Sequence, residues 1–323
     1  MRDADHSEDP TIVLDTRHSR GVHAVAFHPD GMHLLGGGGD GIRRWQLVDG
    51  QEVGKQEGMD VRCISVSRDR RWVVCGTFYG ASVWDAELRE KVIDVEGTNW
   101  MRAVDVCPDS TRFATGNGYR EVSVWDISSG ERLVGPLQHE RTVTGIRFSP
   151  HGELIAATCW GSSVRVFDSR TGDALITIKT TSPSVQTCTP LAWSNDGQRI
   201  FATSDDSTIK CFNVSTGSQL VESQILKDGE NKIESIALAT SGKFIATYAG
   251  HTIAFLDAST LARIGPFIEE SGEMYSITLS PDCNYVATGR RDGKVAIRNL
   301  GSILPDLYGP FYVNIWHPFC LPR

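Results

Sequence analysis

No apolar run in this chain approaches the ~18–20 residues that a membrane helix needs, so no membrane contact is expected. The opening residues, MRDADHSEDP, contain no apolar stretch of the signal-peptide kind. The eight cysteines (63, 75, 107, 159, 188, 211, 283 and 320) form no C-x-x-C pair, which removes zinc knuckles and thioredoxin-like redox motifs. Most of them lie in or beside alternating apolar runs, where a reduced thiol behaves as a small buried hydrophobe. A reducing compartment, cytoplasm or nucleus, is therefore expected. Basic charge is also short: 32 Lys and Arg against 40 Asp and Glu leave a formal charge of −8. That balance argues against nucleic acid or an anionic membrane as a partner.

Motifs of catalysis are equally scarce. No G-x-x-x-x-G-K-[ST], H-E-x-x-H or G-x-S-x-G string occurs. GGGGDG (36–41) formally contains G-x-G-x-x-G, but IRRWQL follows it, a strand where a dinucleotide site requires a helix. It reads as a turn between strands. The nine histidines show no pair at helical or hairpin spacing with an adjacent Cys or carboxylate, so neither a metal nor any other cofactor is expected. His28, in FHPDG, reads as a turn residue. The carboxylates recur at equivalent turns, where Asp makes local hydrogen bonds to the backbone, so repetition accounts for them without catalysis.

What the chain has in quantity is a repeat. VSVWDISSG, ending the stretch 114–130, has relatives in IRRWQLVDG at Trp45, ASVWDAELR at Trp84, VRVFDSRTG at Phe167 and IKCFNVSTG at Phe212. IAFLDASTL at Leu256 and VAIRNLGSI at Arg298 are weaker copies. Counted from Trp45, the spacings are 39, 41, 42, 45, 44 and 42 residues. Upstream of each ending lies a second string, such as FHPDGMHLL, FSPHGELIA or LSPDCNYVA, which sets turn-forming residues between two apolar segments. Five copies then carry Ala-Thr, at Thr115, Thr158, Thr203, Thr247 and Thr288.

A period of 40–45 residues with four short strands and a Trp-Asp ending resembles the WD-repeat family over most of the chain. The resemblance implies an all-β fold: a seven-bladed β-propeller of four-stranded antiparallel blades. One blade cannot bury both its faces, so each packs on its neighbours and the closed ring hides the ends. The last unit lacks a fourth strand, and TIVLDT (11–16) is unused, so the last blade is expected to be closed by the N-terminal strand. The expected organisation is a disordered segment 1–10, the propeller 11–300 and a tail 301–323 rich in aromatics and prolines. In the family a His, a Ser or Thr, an Asp and the Trp form a hydrogen-bonded set. No unit here keeps all four: His18, Asp40 and Trp45 share one unit, but Gly36 stands near the hydroxyl position. Cohesion is therefore expected from apolar packing. Arg298, in place of the Trp, suggests a shifted register in the last blade.

The family resemblance also places the turns between second and third strands on the same rim as the segments entering each first strand. Those positions hold Phe78 and Tyr79 in the second unit, Trp100, Tyr119 and Arg120 in the third, and Arg141 and Trp160 in the fourth. Aromatic residues and Arg dominate binding hot spots, and three adjacent units concentrate them. Two readings are open: each aromatic is a lid on its own blade, or the set is a contact surface. The function expected is a non-catalytic scaffold that holds a protein or peptide segment on the rim and works within a multiprotein complex. An alternative is an acidic rim reading basic peptides such as histone tails, through Asp205, Asp206, Glu269, Glu270 and Glu273. A third, an enzyme using the central channel, would need convergent carboxylates or histidines there, for which no spacing calls.

Overall fold

The computed structural model describes residues 12–96, 100–160, 163–179, 191–203, 208–225 and 233–308. The segment 1–10 expected to be disordered, Cys188, Cys320, Asp205, Asp206 and the tail beyond residue 308 lie outside them. A single strand, β1 (Ile12–Asp15), precedes blade 1, which consists of β2 (Val22–Phe27), β3 (His33–Gly38), β4 (Gly41–Gln46) and β5 (Glu52–Glu57). Blade 2 contains β6 (Val61–Val66), β7 (Trp72–Thr77), β8 (Gly80–Asp85) and β9 (Lys91–Glu96). Blade 3 contains β10 (Met101–Val106), β11 (Arg112–Asn117), β12 (Glu121–Asp126) and β13 (Arg132–Gln138). Blade 4 contains β14 (Val143–Phe148), β15 (Leu154–Cys159), β16 (Ser163–Asp168) and β17 (Ala174–Lys179). In blade 5 these are β18 (Leu191–Trp193), β19 (Arg199–Thr203), β20 (Thr208–Asn213) and β21 (Gln219–Gln224). In blade 6 they are β22 (Ile233–Leu238), β23 (Phe244–Ala249), β24 (Thr252–Asp257) and β25 (Arg263–Glu269). Blade 7 has β26 (Met274–Leu279), β27 (Tyr285–Arg290) and β28 (Lys294–Asn299) from its own unit.

Its fourth strand is β1, antiparallel to β28 with Ile12 opposite Ile297 and Asp15 opposite Lys294. The expected closure by the N-terminal strand is thus present, and the Thr16 hydroxyl extends it by donating to the Gly293 carbonyl at 2.5 Å. The first strands touch in the cyclic order β2, β6, β10, β14, β18, β22, β26 and back to β2. Apolar residues come in runs along the two middle strands because both faces of a blade meet a neighbour; β11 and β23 are buried at every position. Outer strands such as β5 and β21 alternate exposed and half-buried residues, as one-sided strands do.

Each hydrophobic core lies between two blades. One, for example, joins Ala103, Ala114 and Val124 of blade 3 to Val143, Ile146 and Phe167 of blade 4. Side chains on the inner strands also clasp the next blade's backbone. Ser65 accepts from Val106 N–H, Asp105 from Phe148 N–H and Ser276 from Val25 N–H. The glycine run 36–38 is a packing device. A Cβ on Gly36 would lie 2.8 Å from Cζ3 of Trp45, so the indole occupies the place where other units carry a hydroxyl residue. Two indoles keep a hydroxyl partner: Trp125 donates to Thr115 and Trp84 to Ser82, each at 2.9 Å. Trp84 is 8% exposed, so Trp84→Ala should destabilise the fold by about 3–5 kcal/mol, read from the urea midpoint at unchanged slope.

The register of blade 7 is not shifted. Arg298 lies opposite Val286 just as Trp45 lies opposite Leu34 and Trp84 opposite Val73. The substitution is tolerated because a buried partner comes with it: Nε of Arg298 is 3.0 Å from Glu270, whose side chain is 1% exposed. Glu270 also faces Arg290 at 3.6 Å, and Arg290 reaches Asp292 at 2.6 Å. Beyond β28 the chain enters two short helical turns, α1 (Leu300–Ile303) and α2 (Pro305–Tyr308). Leu300, Ile303 and Leu304 are buried in the core shared by blades 6 and 7, so the ordered body extends past residue 300.

Candidate functional site

Six of the first strands contain the same irregularity. Pairing with the second strand skips one residue near the start, as between Val61 and Cys63 or Met101 and Ala103. A bulge of this kind re-aims its extra side chain. The residues so placed are His23, Arg62, Arg102, Thr144, Glu234 and Tyr275, in blades 1, 2, 3, 4, 6 and 7. They sit at the end of the inner strands next to the turns joining second to third strands. Hydrogen bonds tie those turns to the entering segments, such as Gly118 N–H to Trp100 O and Ser19 N–H to Asp40.

Four of these blades, together with Trp160 of blade 4, join into an arc of stacked rings and guanidinium groups. Tyr275 stacks on His23 with centroids 5.1 Å apart. Arg62 contacts Nε2 of His23 at 3.2 Å and lies over the Phe78 ring at 4.7 Å. Phe78 stacks on Trp100 at 5.2 Å. Arg102, 4% exposed, is held between Trp100 at 3.6 Å and Trp160 at 4.9 Å. A desolvated guanidinium over a Trp face contributes up to ~2 kcal/mol, so Arg102 fixes both indoles.

Electrostatics along the arc follow from burial. Burial, helped by Arg62, lowers the His23 pKa to about 4, so Nε2 is an acceptor for Arg62 at neutral pH. Asp60, 2.9 Å from Arg62, balances that charge. Across the ring, burial and then Glu273 push Glu234 up to about 7. Below the arc the inner strands of all seven blades line a central channel with a cavity of ≈ 960 Å³. Burial raises the pKa of Asp105 in its wall, but this carboxylate is already held by Arg147 and by the N–H of Phe148.

The sequence-derived residues divide into two groups. Phe78, Trp100 and Trp160 are brought together in the arc. Tyr79 and Tyr119 stand clear of it, 84% and 63% exposed, and Arg120 and Arg141 are exposed as well. The turn at Tyr119 is held by Asn117, whose side-chain oxygen accepts from the N–H groups of Tyr119 and Glu121. Arg120 occupies the left-handed region there, at φ 71°, and its carbonyl accepts from His139 N–H. Arg62 and Arg102, which organise the aromatics, escaped the sequence reading because a bulged residue looks like any other polar position of a strand. Aligning the units on their Trp-Asp endings and comparing the second residue of each first strand would have found them.

Part of the acidic set is consumed internally. Glu270 is buried against two arginines, Glu273 pairs with Arg291 at 2.6 Å, and Glu269 accepts from Thr252. At the opposite end of the inner strands, the structure brings His28, Asp30 and His33 into one cluster, which the spacing survey missed. The hairpin turn, rather than a fixed sequence interval, sets that convergence.

A closed ring of seven four-stranded blades with a decorated rim defines a β-propeller. Within that class, residues 10–45, 132–168, 175–213 and 264–299 match the family model of the WD domain, G-beta repeat. These stretches cover four of its seven repeats, so the chain carries WD repeats within a seven-bladed propeller. Among curated proteins, it is 26% identical to cilia- and flagella-associated protein 52 of Sus scrofa over 194 residues, 45% of this chain and 31% of that protein. Serine-threonine kinase receptor-associated protein of Dictyostelium discoideum is 25% identical over 167 residues, 51% of this chain and 57% of that protein. Actin-interacting protein 1 of Drosophila melanogaster is 24% identical over 177 residues, 51% of this chain and 29% of that protein. The matched stretches thus span from under a third to a little over half of these relatives. Among the described residues no helix is long and apolar enough to cross a membrane.

Proposed function

We propose that this chain is a non-catalytic protein-interaction scaffold whose contact surface is the rim of blades 2–4, and that it holds a protein or peptide segment there within a larger assembly. The arc carries the reading: Arg62, Phe78, Trp100, Arg102 and Trp160 are stacked into one pre-organised surface. Rigid aromatic and arginine side chains lose little entropy on binding, which is why such residues dominate hot spots. Exposed Tyr79 and Tyr119 flank the arc as adaptable contacts. The names of two relatives, a receptor-associated protein and an actin-interacting protein, are in keeping with scaffolding. Fold alone does not select the partner. The acidic-rim alternative is disfavoured by the internal pairing of Glu270 and Glu273.

The test compares wild type, Trp100→Ala/Tyr119→Ala/Trp160→Ala and the milder Tyr79→Ala/Tyr119→Ala in pull-downs from native lysate, with circular dichroism and melting curves alongside. Hot-spot truncation typically removes ~2 kcal/mol or more per residue, so partner capture should fall at least ~30-fold in the triple variant. The double variant, touching only exposed rings, should weaken capture with no change in melting. Unchanged capture by both folded variants would overturn the assignment and leave the aromatics as lids.

A further inference from the structure

The turn joining the first and second strands is built alike in most blades, and blade 1 departs from it in a chemically specific way. In blades 2, 5 and 7 a Ser opens the turn, and its hydroxyl donates to the Asp two residues on: Ser67 to Asp69, Ser194 to Asp196 and Ser280 to Asp282. The same hydroxyl accepts the N–H of the residue five further along, as Trp72 to Ser67 and Tyr285 to Ser280, each at 2.9 Å. Blade 4 keeps the second bond, Leu154 to Ser149. Positions i, i+2 and i+5 thus converge by the geometry of the turn. Blade 3 shows it with other chemistry, since Arg112 reaches both Cys107 and Asp109.

Blade 1 keeps the Asp, Asp30, and fills both remaining positions with imidazoles, His28 and His33. One oxygen of Asp30 accepts from the N–H groups of Met32 and His33, an ordinary turn arrangement. The other lies 2.8 Å from Nδ1 of His28 and 2.7 Å from Nδ1 of His33. The candidate ligand atoms of all three residues lie within 4.8 Å of one another. The backbone N–H of Asp30 also points at Nδ1 of His28, at 3.3 Å. Ring nitrogens this close to a carboxylate oxygen are bridged by a ring proton or by a bound cation, and both imidazoles face the same Asp30 oxygen. His28 is 4% exposed and cannot turn away into water.

We propose that His28, Asp30 and His33 form a binding site for a first-row transition-metal ion of the Zn²⁺ type, on the rim opposite the aromatic arc. Two imidazole nitrogens and one carboxylate oxygen are the donor set that suits such an ion, at bond lengths of ~2.0–2.2 Å. Tetrahedral ligation separates ligand atoms by roughly 3.3 Å, so the present contacts need to open by about half an ångström. Rotation of His33, whose side chain is 18% exposed, opens one contact and leaves the fourth position toward solvent, and a small shift of the Asp30 carboxylate opens the other. The six-residue β2 separates this turn from the arc by about 17 Å, so the two sites can work independently.

The blades supply the control for the test. His28→Ser/His33→Tyr rebuilds in blade 1 the turn that blade 7 carries at Ser280 and Tyr285, so the fold is expected to persist. The full chain, stripped with chelator, is titrated with ZnCl₂ by calorimetry, and with Co²⁺ to read the d–d absorption of a low-symmetry site. Wild type should bind one Zn²⁺ per chain through this site, and the double variant should lose that event or bind at least ~10-fold more weakly. If the double variant fails to fold, His33→Ala, which removes a partly exposed ligand, carries the same comparison. Absence of a stoichiometric event in wild type, or an event unchanged in the folded variant, overturns the proposal.

Discussion

Glu270→Ala is expected to lower the unfolding free energy by about 3–5 kcal/mol, among the largest effects of any single side chain in this propeller. Its side chain is 1% exposed and lies against Arg298, itself at the Trp position of the repeat, and against Arg290. Removing the carboxylate takes away the buried negative charge that faces both Arg298 and Arg290, and breaking a buried pair from one side is costly because the remaining charge stays desolvated. Removing the arginine is a different matter. Arg298→Leu leaves Glu270 with Arg290 as a partner, and the double variant Glu270→Leu/Arg298→Leu exchanges a polar contact for an apolar one. Both should cost clearly less than Glu270→Ala. Urea unfolding of the four proteins compares these costs directly; a Glu270→Ala variant within ~1 kcal/mol of wild type would show that the pair is dispensable.

Deleting residues 1–16 should be comparably severe, and it tests ring closure. The deletion removes burial of Leu14, ~1.5–3 kcal/mol on its own, together with the β1–β28 ladder and the Thr16–Gly293 bond. A loss of about 5 kcal/mol is expected from these contributions. The deletion also exposes β28 as an open edge carrying Val295 and Ile297, an invitation to pair with another chain. The truncated protein should therefore melt earlier and run as oligomers in size-exclusion chromatography. A synthetic peptide covering residues 11–17 should reverse both effects by adding the missing strand in trans. A truncated chain that stays monomeric and melts like wild type would mean that the closure contributes little.

Only part of the rim was legible from the residues alone. Phe78, Trp100 and Trp160 could be singled out because repeat position assigns them to one edge and aromatics there are uncommon. Phe78 stacks on Trp100 directly, but Trp160 joins them through Arg102 and Arg62 carries the arc on to His23. Both arginines are bulge residues, and a bulge is a property of the pairing between two strands. Tyr119 and Arg120 could be placed at a turn. The fact that Asn117 secures it, leaving Tyr119 63% exposed, required the path of the backbone. His28 and His33 are five residues apart, an interval that means little for a helix or an extended strand; only the curl of the hairpin brings them onto Asp30.

The sequence by itself determined the repeat, the seven four-stranded units and the role of TIVLDT in the last blade. Strand alternation, turn chemistry and period are local properties, and a ring with one strand missing at one end and one spare at the other has a single economical closure. The tertiary structure decided which side chains become neighbours across blades. Arg298 and Glu270 are 28 residues apart and Arg62 and His23 are 39 apart, and nothing in the intervening chain marks either pair. Such contacts arise because packing the blades into a ring superimposes equivalent positions of successive units, and the chemistry that results depends on what each unit happens to carry there.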